Sequence, residues 1–373
     1  MSNKFMKQIL LFFLATILFA CNEKEQNPIP ISIDFSSDIV KQESYIVTKN
    51  QLIISIDGVA DEASWQAAKF TNNFIDIEGI KKPQFNTKAK MLWDENYFYV
   101  YAEMEESHIW ADITQRDAII YLNNDFEIFI CPSMATSLYS EIEINALGTV
   151  WDLLLNKPYR SGGNAIFYWN LNNLKSAVKI YGSLNDPSDT DSLWAIEMAI
   201  PMKSLIELKI QKAKFPSEGE QWQVNFSRVD WQHDIIDGIY RRKTENGKIL
   251  KEQNWVWSNQ KVINMHEPEK WGHIQFTNET TVENLKFIED KHRNLKQLAY
   301  ALFRQTQFAS LQKLLQNEVG HTQNINAKYS ENDSILATFY KTNFGFEYKI
   351  QIPETSQYLL INEAGVLKVI KNE

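Results

Sequence analysis

Hydrophobic and polar residues alternate strictly along two neighbouring stretches in the middle of the chain. The stretches cover residues 124–131 and 138–146, and a loop containing Pro132 and Ser133 joins them. An apolar residue at every second position is the period of a β-strand with one face in a core. The residues of this predicted core face are Phe126, Ile128, Ile130, Ile142, Ile144 and Ala146.

The other face of the same two strands is acidic. It carries six side chains that accept hydrogen bonds, namely Asp125, Glu127, Tyr139, Glu141, Glu143 and Asn145. Carboxylates and amides in this density match the hydroxyls of a polar ligand. The pattern therefore predicts that this face of the strand pair receives something polar.

The rest of the chain divides into two parts. Residues 51–277 contain many short strand patterns and no alternation of strands with long helices, which predicts an all-β sandwich. Residues 280–373 differ, because residues 282–319 have a helical pattern and four short strand patterns follow it. We predict a small C-terminal α+β appendage, a helix plus an antiparallel meander, to which the sequence assigns no function.

The N-terminus has the pattern of an export signal. Lys4 and Lys7 precede an apolar run over residues 9–19, which is too short to span a bilayer as a helix, and Cys21 follows. We predict a lipoprotein signal peptide over residues 1–20 and lipidation of Cys21, with residues 21–50 as tether and lead-in. The expected location is the outer membrane or cell surface, through a lipid anchor, with the periplasmic face as the alternative.

Charge and metal-ligating residues restrict the class of partner. The formal net charge is −9, which argues against nucleic acid. The six histidines form no cluster with metal-ligand spacing. The acidic loop at residues 185–191 lacks the regular spacing of a calcium loop, so a solvated turn is favoured over a calcium site there. Cys131 is interpreted as a small semi-buried residue and not as a nucleophile.

Four stretches together resemble the family-nine carbohydrate-binding modules and their relatives in polysaccharide-degrading bacteria. They are residues 56–65, 92–100, 124–130 and 271–274. The resemblance implies a β-sandwich that binds sugars, has no catalytic residue of its own, requires no cofactor and in some relatives holds structural calcium.

The resemblance also implies a ligand site. Glu127 matches the acid that accepts hydrogen bonds from sugar hydroxyls, Tyr121 falls where one stacking tryptophan sits, and Asn145 matches a polar contact. Glu143 stands where that site has an arginine. The predicted ligand-binding residues are therefore Tyr121, Glu127, Glu143 and Asn145.

The chain departs from the family pattern on the other side of this site. The second stacking tryptophan is replaced by Met265 and a sugar-binding asparagine by Val262, which leaves the ligand an open question. Four tryptophans near predicted loops are candidates for a replacement platform, although core packing is favoured for each: Trp110, Trp151, Trp169 and Trp231.

We predict non-catalytic binding of a polysaccharide or oligosaccharide, in support of the degradation of xylan or another β-glycan, with other glycan-degradation proteins as candidate partners. One alternative is a glycoside hydrolase that uses paired carboxylates of the acidic face. Another is an assembly lipoprotein without a sugar ligand. A third is haem binding through the adjacent Met265 and His266, since sandwiches related to this family also hold haem b.

Overall fold

The computed structural model describes residues 29–209 and 214–371. The predicted signal peptide, the lipidation site Cys21 and the first part of the tether lie outside these residues. Within them, no helix combines the length and the apolar character needed to cross a membrane.

Strands make up most of the regular structure. In chain order they are β1 Ile31–Asp34, β2 Ser44–Lys49, β3 Ile75–Asp76, β4 Thr87–Trp93, β5 Tyr97–Glu105, β6 Asp125–Cys131, β7 Tyr139–Asn145, β8 Val150–Leu155, β9 Ala165–Ile166, β10 Lys175–Tyr181, β11 Leu193–Pro201, β12 Gln221–Asp230, β13 His233–Ile236, β14 Ile239–Arg242, β15 Thr244–Glu245, β16 Lys248–Ile249, β17 Gln253–Val256, β18 Gly272–Phe276, β19 Thr322–Lys328, β20 Ser334–Lys341, β21 Phe346–Gln351, β22 Gln357–Asn362 and β23 Leu367–Lys371. The α-helices are α1 Ala63–Ala67, α2 Met202–Ile206 and α3 Arg293–Phe308. Short 3₁₀ helices cover Ser36–Asp38, Ile120–Leu122, Tyr159–Ser161, Pro268–Lys270 and Gln312–Gln316.

Two sheets form a β-sandwich. One has the strand order β10-β11-β5-β4-β2, and the other continues as β2-β18-β12-β6-β7-β8-β9, with β17 beside β12. Strand β2 passes from one sheet to the other: residues 44–47 pair in parallel with β18, and residues 48 and 49 pair in parallel with β4. Strands that change sheets in this way form the corners of sandwiches.

The inner faces of the two sheets share one hydrophobic core. Met91, Val100 and Met198 of the first sheet and Phe126 and Phe226 of the second belong to it, and all five are fully buried. Burying aliphatic and aromatic side chains from both layers stabilises the sandwich by roughly 1.5–3 kcal/mol per residue. The prediction of an all-β sandwich with a C-terminal α+β appendage is confirmed.

The central pair of strands forms as an antiparallel pair, with Ile128 opposite Ile142 and Glu127 opposite Glu143. The predicted core face is confirmed, because all six of its residues belong to the sandwich core. The acidic face is not an open surface. Every residue of β6 and β7 is buried, since residues of the 159–167 and 252–266 segments lie over that face.

The C-terminal unit is a separate six-stranded sheet covered by a helix. Strands β19 to β23 form the antiparallel meander, and β1 adds to its edge parallel to β19. Leu298 and Leu302 of α3 pack with Phe339 and Tyr348 of the sheet in a separate core. The N-terminal strand β1 is therefore part of the C-terminal unit.

Two predicted segments differ from the structure. The helical pattern over 282–319 forms a helix only at Arg293–Phe308, followed by the 3₁₀ helix Gln312–Gln316. The side chain of Gln275 hydrogen-bonds the backbone at Lys286 and Ile288, which supplies partners outside a helix. The predicted lead-in at 21–50 holds β1 and β2, one strand of each unit.

A group of buried ion pairs joins α3 to the sandwich, and we call it the interface network. It consists of Arg160, Glu267, Glu269, Lys270 and Arg304. The Arg160 guanidinium lies 2.7 Å from Glu267 and 2.6 Å from Glu269, and Lys270 lies 2.8 Å from Glu267. Arg304 of α3 forms an ion pair with Glu269. Each buried carboxylate of this network therefore has at least two cationic partners.

Candidate functional site

Four strands place a row of polar side chains and one tryptophan across the outer face of the second sheet. In the register of β12, β6, β7 and β8, Ser227 lies opposite Glu127, Glu127 opposite Glu143, and Glu143 opposite Trp151. Residues directly opposite one another in a sheet point to the same face. The alternation that places Phe126 and Ile142 in the core therefore sets this row together on the other side.

Carboxylates form the floor of a cleft on this face, and we call Asp125, Glu127, Glu141 and Glu143 the acid cluster. One carboxylate oxygen from each of Asp125, Glu127 and Glu143 lies within 4.8 Å of the other two. All four side chains are buried. Glu127, Glu141 and Glu143 line a cleft of about 490 Å³, and Asp125, two residues from Glu127 along β6, is fully buried beside it.

No counter-charge compensates the acid cluster within the part of the chain that the structure describes. The residues lining the cleft there include no lysine or arginine. Burial raises the pKa of Glu127 to about 7, and it raises the pKa values of Asp125, Glu141 and Glu143 well above the usual range. The neighbouring carboxylates add to the increase at Asp125, Glu141 and Glu143 because like charges disfavour ionisation.

Aromatic side chains form the wall of the cleft. The rings of Trp151 and Phe167 stack with centroids 5.9 Å apart and planes 12° apart. Tyr121, Tyr159 and Phe167 remain 40%, 48% and 54% exposed respectively, so their surfaces are available to a ligand. Trp151 belongs to strand β8 and not to a loop, and it is the one tryptophan of the four candidates that lines the cleft.

Met265 and His266 form another part of the cleft wall. The Nδ1 atom of His266 lies 3.0 Å from the Tyr139 hydroxyl, and its ring packs edge-on against Tyr159 at 4.6 Å. Burial and the charge of Arg160 lower the pKa of His266 to about 4, so the ring is neutral at physiological pH. The side chain of His266 is thus held in place by aromatic neighbours.

Three of the four predicted ligand-binding residues meet at the cleft. Tyr121, Glu127 and Glu143 all line it, and the Tyr121 backbone N–H donates to Glu143 Oε2 at 2.9 Å. Asn145, the fourth, does not line the cleft. Its amide donates to the carbonyl of Ile113 at 2.8 Å, and its carbonyl accepts from the backbone of Leu147 and Thr149.

Asn145 therefore holds the turn between β7 and β8, and no hydrogen-bonding group of its side chain is directed at the cleft. Val262, the other position of the family pattern, does not line the cleft, whereas the neighbouring Asn264 does. Trp110 and Trp231 pack with Val229 and Tyr240 in a separate buried cluster.

The acidic loop at residues 185–191 uses its polar groups internally. Both carboxylate oxygens of Asp191 accept backbone N–H groups, from Ser183 at 2.7 Å and from Ile109 at 2.6 Å. Asn185 exchanges two hydrogen bonds with the backbone of Ala111. Asp191 and Asn185 therefore tie this loop to the backbone at residues 109–111 and 183.

Sequence reasoning missed several residues of the cleft. Tyr159, Phe167, Glu252 and Asn264 line it but lie in irregular or weakly patterned segments. Their local sequence carries no periodic signal, and only the paths of the segments bring them over the acidic face. The tryptophans near predicted loops, Trp151 among them, were the signal that pointed to such a wall.

Comparison with known proteins gives a consistent family result. The family model described as "Carbohydrate family 9 binding domain-like" matches residues 56–279, more than half of the 373-residue chain. Comparison with curated proteins gives no significant match.

Solved structures give weaker similarities. A carbohydrate binding module family 9 from Caldicellulosiruptor kristjanssonii, in complex with cellotriose, is 14% identical with a TM-score of 0.41, covering 66% of this chain and 100% of that one. The same kind of module from that organism, in complex with glucose, is 15% identical with a TM-score of 0.41, covering 64% and 97%. A protein from Bacteroides uniformis ATCC 8492 is 15% identical with a TM-score of 0.46, covering 63% and 100%.

These TM-scores are below 0.5, so the assignment rests on the family model and its extent. That match covers the sandwich apart from β2, from the residues before α1 to the end of β18, and it includes every residue of the cleft. The chain belongs to the carbohydrate family 9 binding domain-like family.

Proposed function

We propose that the protein binds an oligosaccharide or a polysaccharide chain in the cleft without cleaving it. The observation that carries this proposal is the combination of an aromatic wall with a carboxylate floor in one cleft. Phe167, which stacks on the buried Trp151, and Tyr121 supply exposed flat surfaces, and Glu127 and Glu143 supply acceptors at its base.

This combination suits the two faces of a sugar ring. A pyranose presents axial C–H groups that pack on an aromatic surface, and its equatorial hydroxyls donate to carboxylates. Concave sites with apolar walls and a few converging polar groups are the usual form of small-ligand sites. The position of Trp151 beside Glu143 on the same face of the sheet also favours sugar binding over a role confined to assembly.

The glycoside hydrolase alternative receives less support from the geometry. Such enzymes need one protonated and one ionised carboxyl, hence environments that move the two pKa values apart. In the acid cluster, burial raises all four pKa values in the same direction. The oxygens of Asp125, Glu127 and Glu143 lie within 4.8 Å of one another, which is too close for inverting enzymes (~6.5–9.5 Å) but near the ~5–5.5 Å of retaining enzymes, so it is the common direction of the pKa shifts that argues against catalysis. We therefore propose a binding role.

We also propose that the chain is an exported lipoprotein that holds glycan at the cell envelope for degradation by other enzymes. The support is Lys4, Lys7 and the apolar run before Cys21 in the sequence. Cells expressing the full chain should release it into the detergent phase of a Triton X-114 extract, and Cys21→Ser should move it to the aqueous phase. Equal partitioning of the two chains would contradict the lipid anchor.

Sugar binding is tested by titration calorimetry with cello- and xylo-oligosaccharides. Phe167→Ala and Tyr121→Ala remove exposed aromatic surface and should each weaken binding by about tenfold or more, roughly 1.4 kcal/mol. Phe344→Ala is the matched control, since Phe344 is 90% exposed and lies in the C-terminal unit. Equal binding by all three variants would contradict the cleft as the site, and no binding by the folded wild type would favour the assembly role.

A further inference from the structure

We infer that the floor of the cleft is a calcium site, in which Asp125, Glu127 and Glu143 bind Ca²⁺ and the ion binds vicinal hydroxyls of the sugar. The inference rests on the proposed function for its sugar part only. The metal site itself follows from the arrangement of oxygens in the acid cluster. The wider cleft then provides room for a sugar ring above the ion.

The spacing of the carboxylates suits one calcium ion. Calcium binds oxygen ligands at about 2.3–2.6 Å, so two oxygens on the same ion lie at most about 5 Å apart. One oxygen from each of Asp125, Glu127 and Glu143 lies within 4.8 Å of the other two. Three carboxylates supply between three and six oxygens, which leaves part of a six- to eight-fold coordination shell for other ligands.

Unpartnered polar atoms converge on the same point. Asp125 is fully buried, and neither of its carboxylate oxygens has a hydrogen-bond partner. The hydroxyl of Ser227, on the strand position opposite Glu127, is also fully buried. It lies close enough to Glu127 to lower the pKa of that carboxyl, but no group of the described residues lies at hydrogen-bond distance and angle from it. Buried polar groups are normally satisfied, and unsatisfied ones call for an unseen ligand or ion.

A cation explains why these carboxylates are buried together. Several carboxylates in one low-dielectric site repel one another strongly unless a positive charge or protons compensate them. Within the described residues, the protein supplies no lysine or arginine at the cleft to do so. A hard divalent ion is also small enough to reach Asp125, which is inaccessible to a bulky cationic ligand.

The surrounding contacts direct the open side of the ion to the cleft. The Tyr121 backbone N–H holds Glu143 Oε2 at 2.9 Å, which fixes this carboxylate beside the exposed Tyr121 ring. Glu127 and Glu143 both line the cleft, so an ion bound to them borders it. A sugar that stacks on the aromatic wall therefore presents its hydroxyls to the ion.

The ion is tested first without any sugar. Titration of the purified, chelator-treated full-length chain with CaCl₂ should give one site with a Kd on the order of 10⁻⁴–10⁻³ M or tighter, as in extracellular calcium modules. Asp125→Asn and Glu127→Gln should each abolish it or weaken it at least tenfold. Asp152→Asn removes a buried charge from the core face of β8 and should leave calcium binding unchanged.

Sugar binding is then measured in CaCl₂ and in EDTA. Binding that falls at least tenfold in EDTA, and that Asp125→Asn also lowers, supports the inference. Calcium binding at this site with no sugar binding overturns the sugar part together with the proposed function. Sugar binding of equal affinity in CaCl₂ and in EDTA overturns the inference and leaves the proposed function intact. The same holds if the sugar that binds equally in both buffers is a cationic amino sugar. The absence of calcium binding by the folded wild type overturns the metal site directly.

Discussion

The acid cluster and the interface network are both groups of buried carboxylates, and they differ in their partners. In the interface network, Glu269 lies between Arg160 and Arg304, and Lys270 pairs with Glu267. Burial alone raises the pKa of Glu269, but the three cations together lower it below its usual value. In the acid cluster the pKa of every member is raised.

This difference separates a structural group from a ligand site. A compensated network is stable with the protein alone, and removal of one partner leaves charges buried without compensation. An uncompensated cluster destabilises the free protein, and such a cost is typical of sites that keep polar groups free for a ligand. Three substitutions break or sharpen the comparison, and they follow from the largest expected effect to the smallest.

Glu269→Gln should be the most damaging change, because it leaves Arg160 and Arg304 buried with one carboxylate fewer. We expect the free energy of unfolding to fall by about 3 kcal/mol or more. Urea denaturation followed by tryptophan fluorescence measures it.

The matched control is Glu95→Gln, which removes a carboxylate from an exposed ion pair with Lys49. It should change the free energy of unfolding by no more than about 0.5 kcal/mol. Similar small effects of both substitutions would mean that the interface network contributes no more than a surface pair.

His273 gives the pH dependence of the region near the interface. Burial and the charges of Arg293 and Lys296 lower its pKa to about 3 from the usual 6.5, and the charge of Asp290 acts in the opposite direction. The unfolded chain therefore binds a proton between pH 6.5 and 3 that the folded protein does not, and folding loses about 1.4 kcal/mol per pH unit as the pH falls through this window. His273→Asn should remove that contribution, about 2–3 kcal/mol at pH 4.5.

The measurement is the free energy of unfolding of both chains at pH 7.5, 6, 5 and 4.5. As the pH falls, the free energy of unfolding of the wild type should decrease steadily relative to that of the variant. Parallel curves would indicate that His273 is solvated in the folded state.

Local pattern predicted the centre of this molecule well. Strands β6 and β7, their core face and the convergence of Glu127 and Glu143 follow from period-two alternation, because register in a half-buried strand pair is set by that pattern. The helix predicted over 282–319 was wrong at both ends. At its N-terminal end, Gln275 hydrogen-bonds the backbone at Ile288, a contact that no local pattern encodes.

Contacts between residues that are distant in the sequence could not be predicted from local patterns. Strand β1 pairs with β19 across almost the whole chain, and nothing in four residues specifies that partner. The side chain of Asn145 has the same strand parity as Glu143, yet it turns into the β7–β8 connection to hold Thr149 and Leu147. The aromatic wall likewise depends on how the 159–167 segment folds over the sheet.

Asp125→Asn sharpens the comparison most directly, because its expected sign is opposite to that of Glu269→Gln. The substitution keeps the shape of the side chain and removes one uncompensated charge, so the calcium-free protein should become more stable by about 1–2 kcal/mol at pH 7.5. Saturating calcium should cancel or reverse this gain, since only the wild type then gains binding free energy. Asp152→Asn, which disturbs a buried carboxylate paired with Arg116, should instead destabilise the protein in both buffers. If Asp125→Asn were destabilising without calcium, Asp125 would be compensated in the folded protein, and the acid cluster would belong with the interface network.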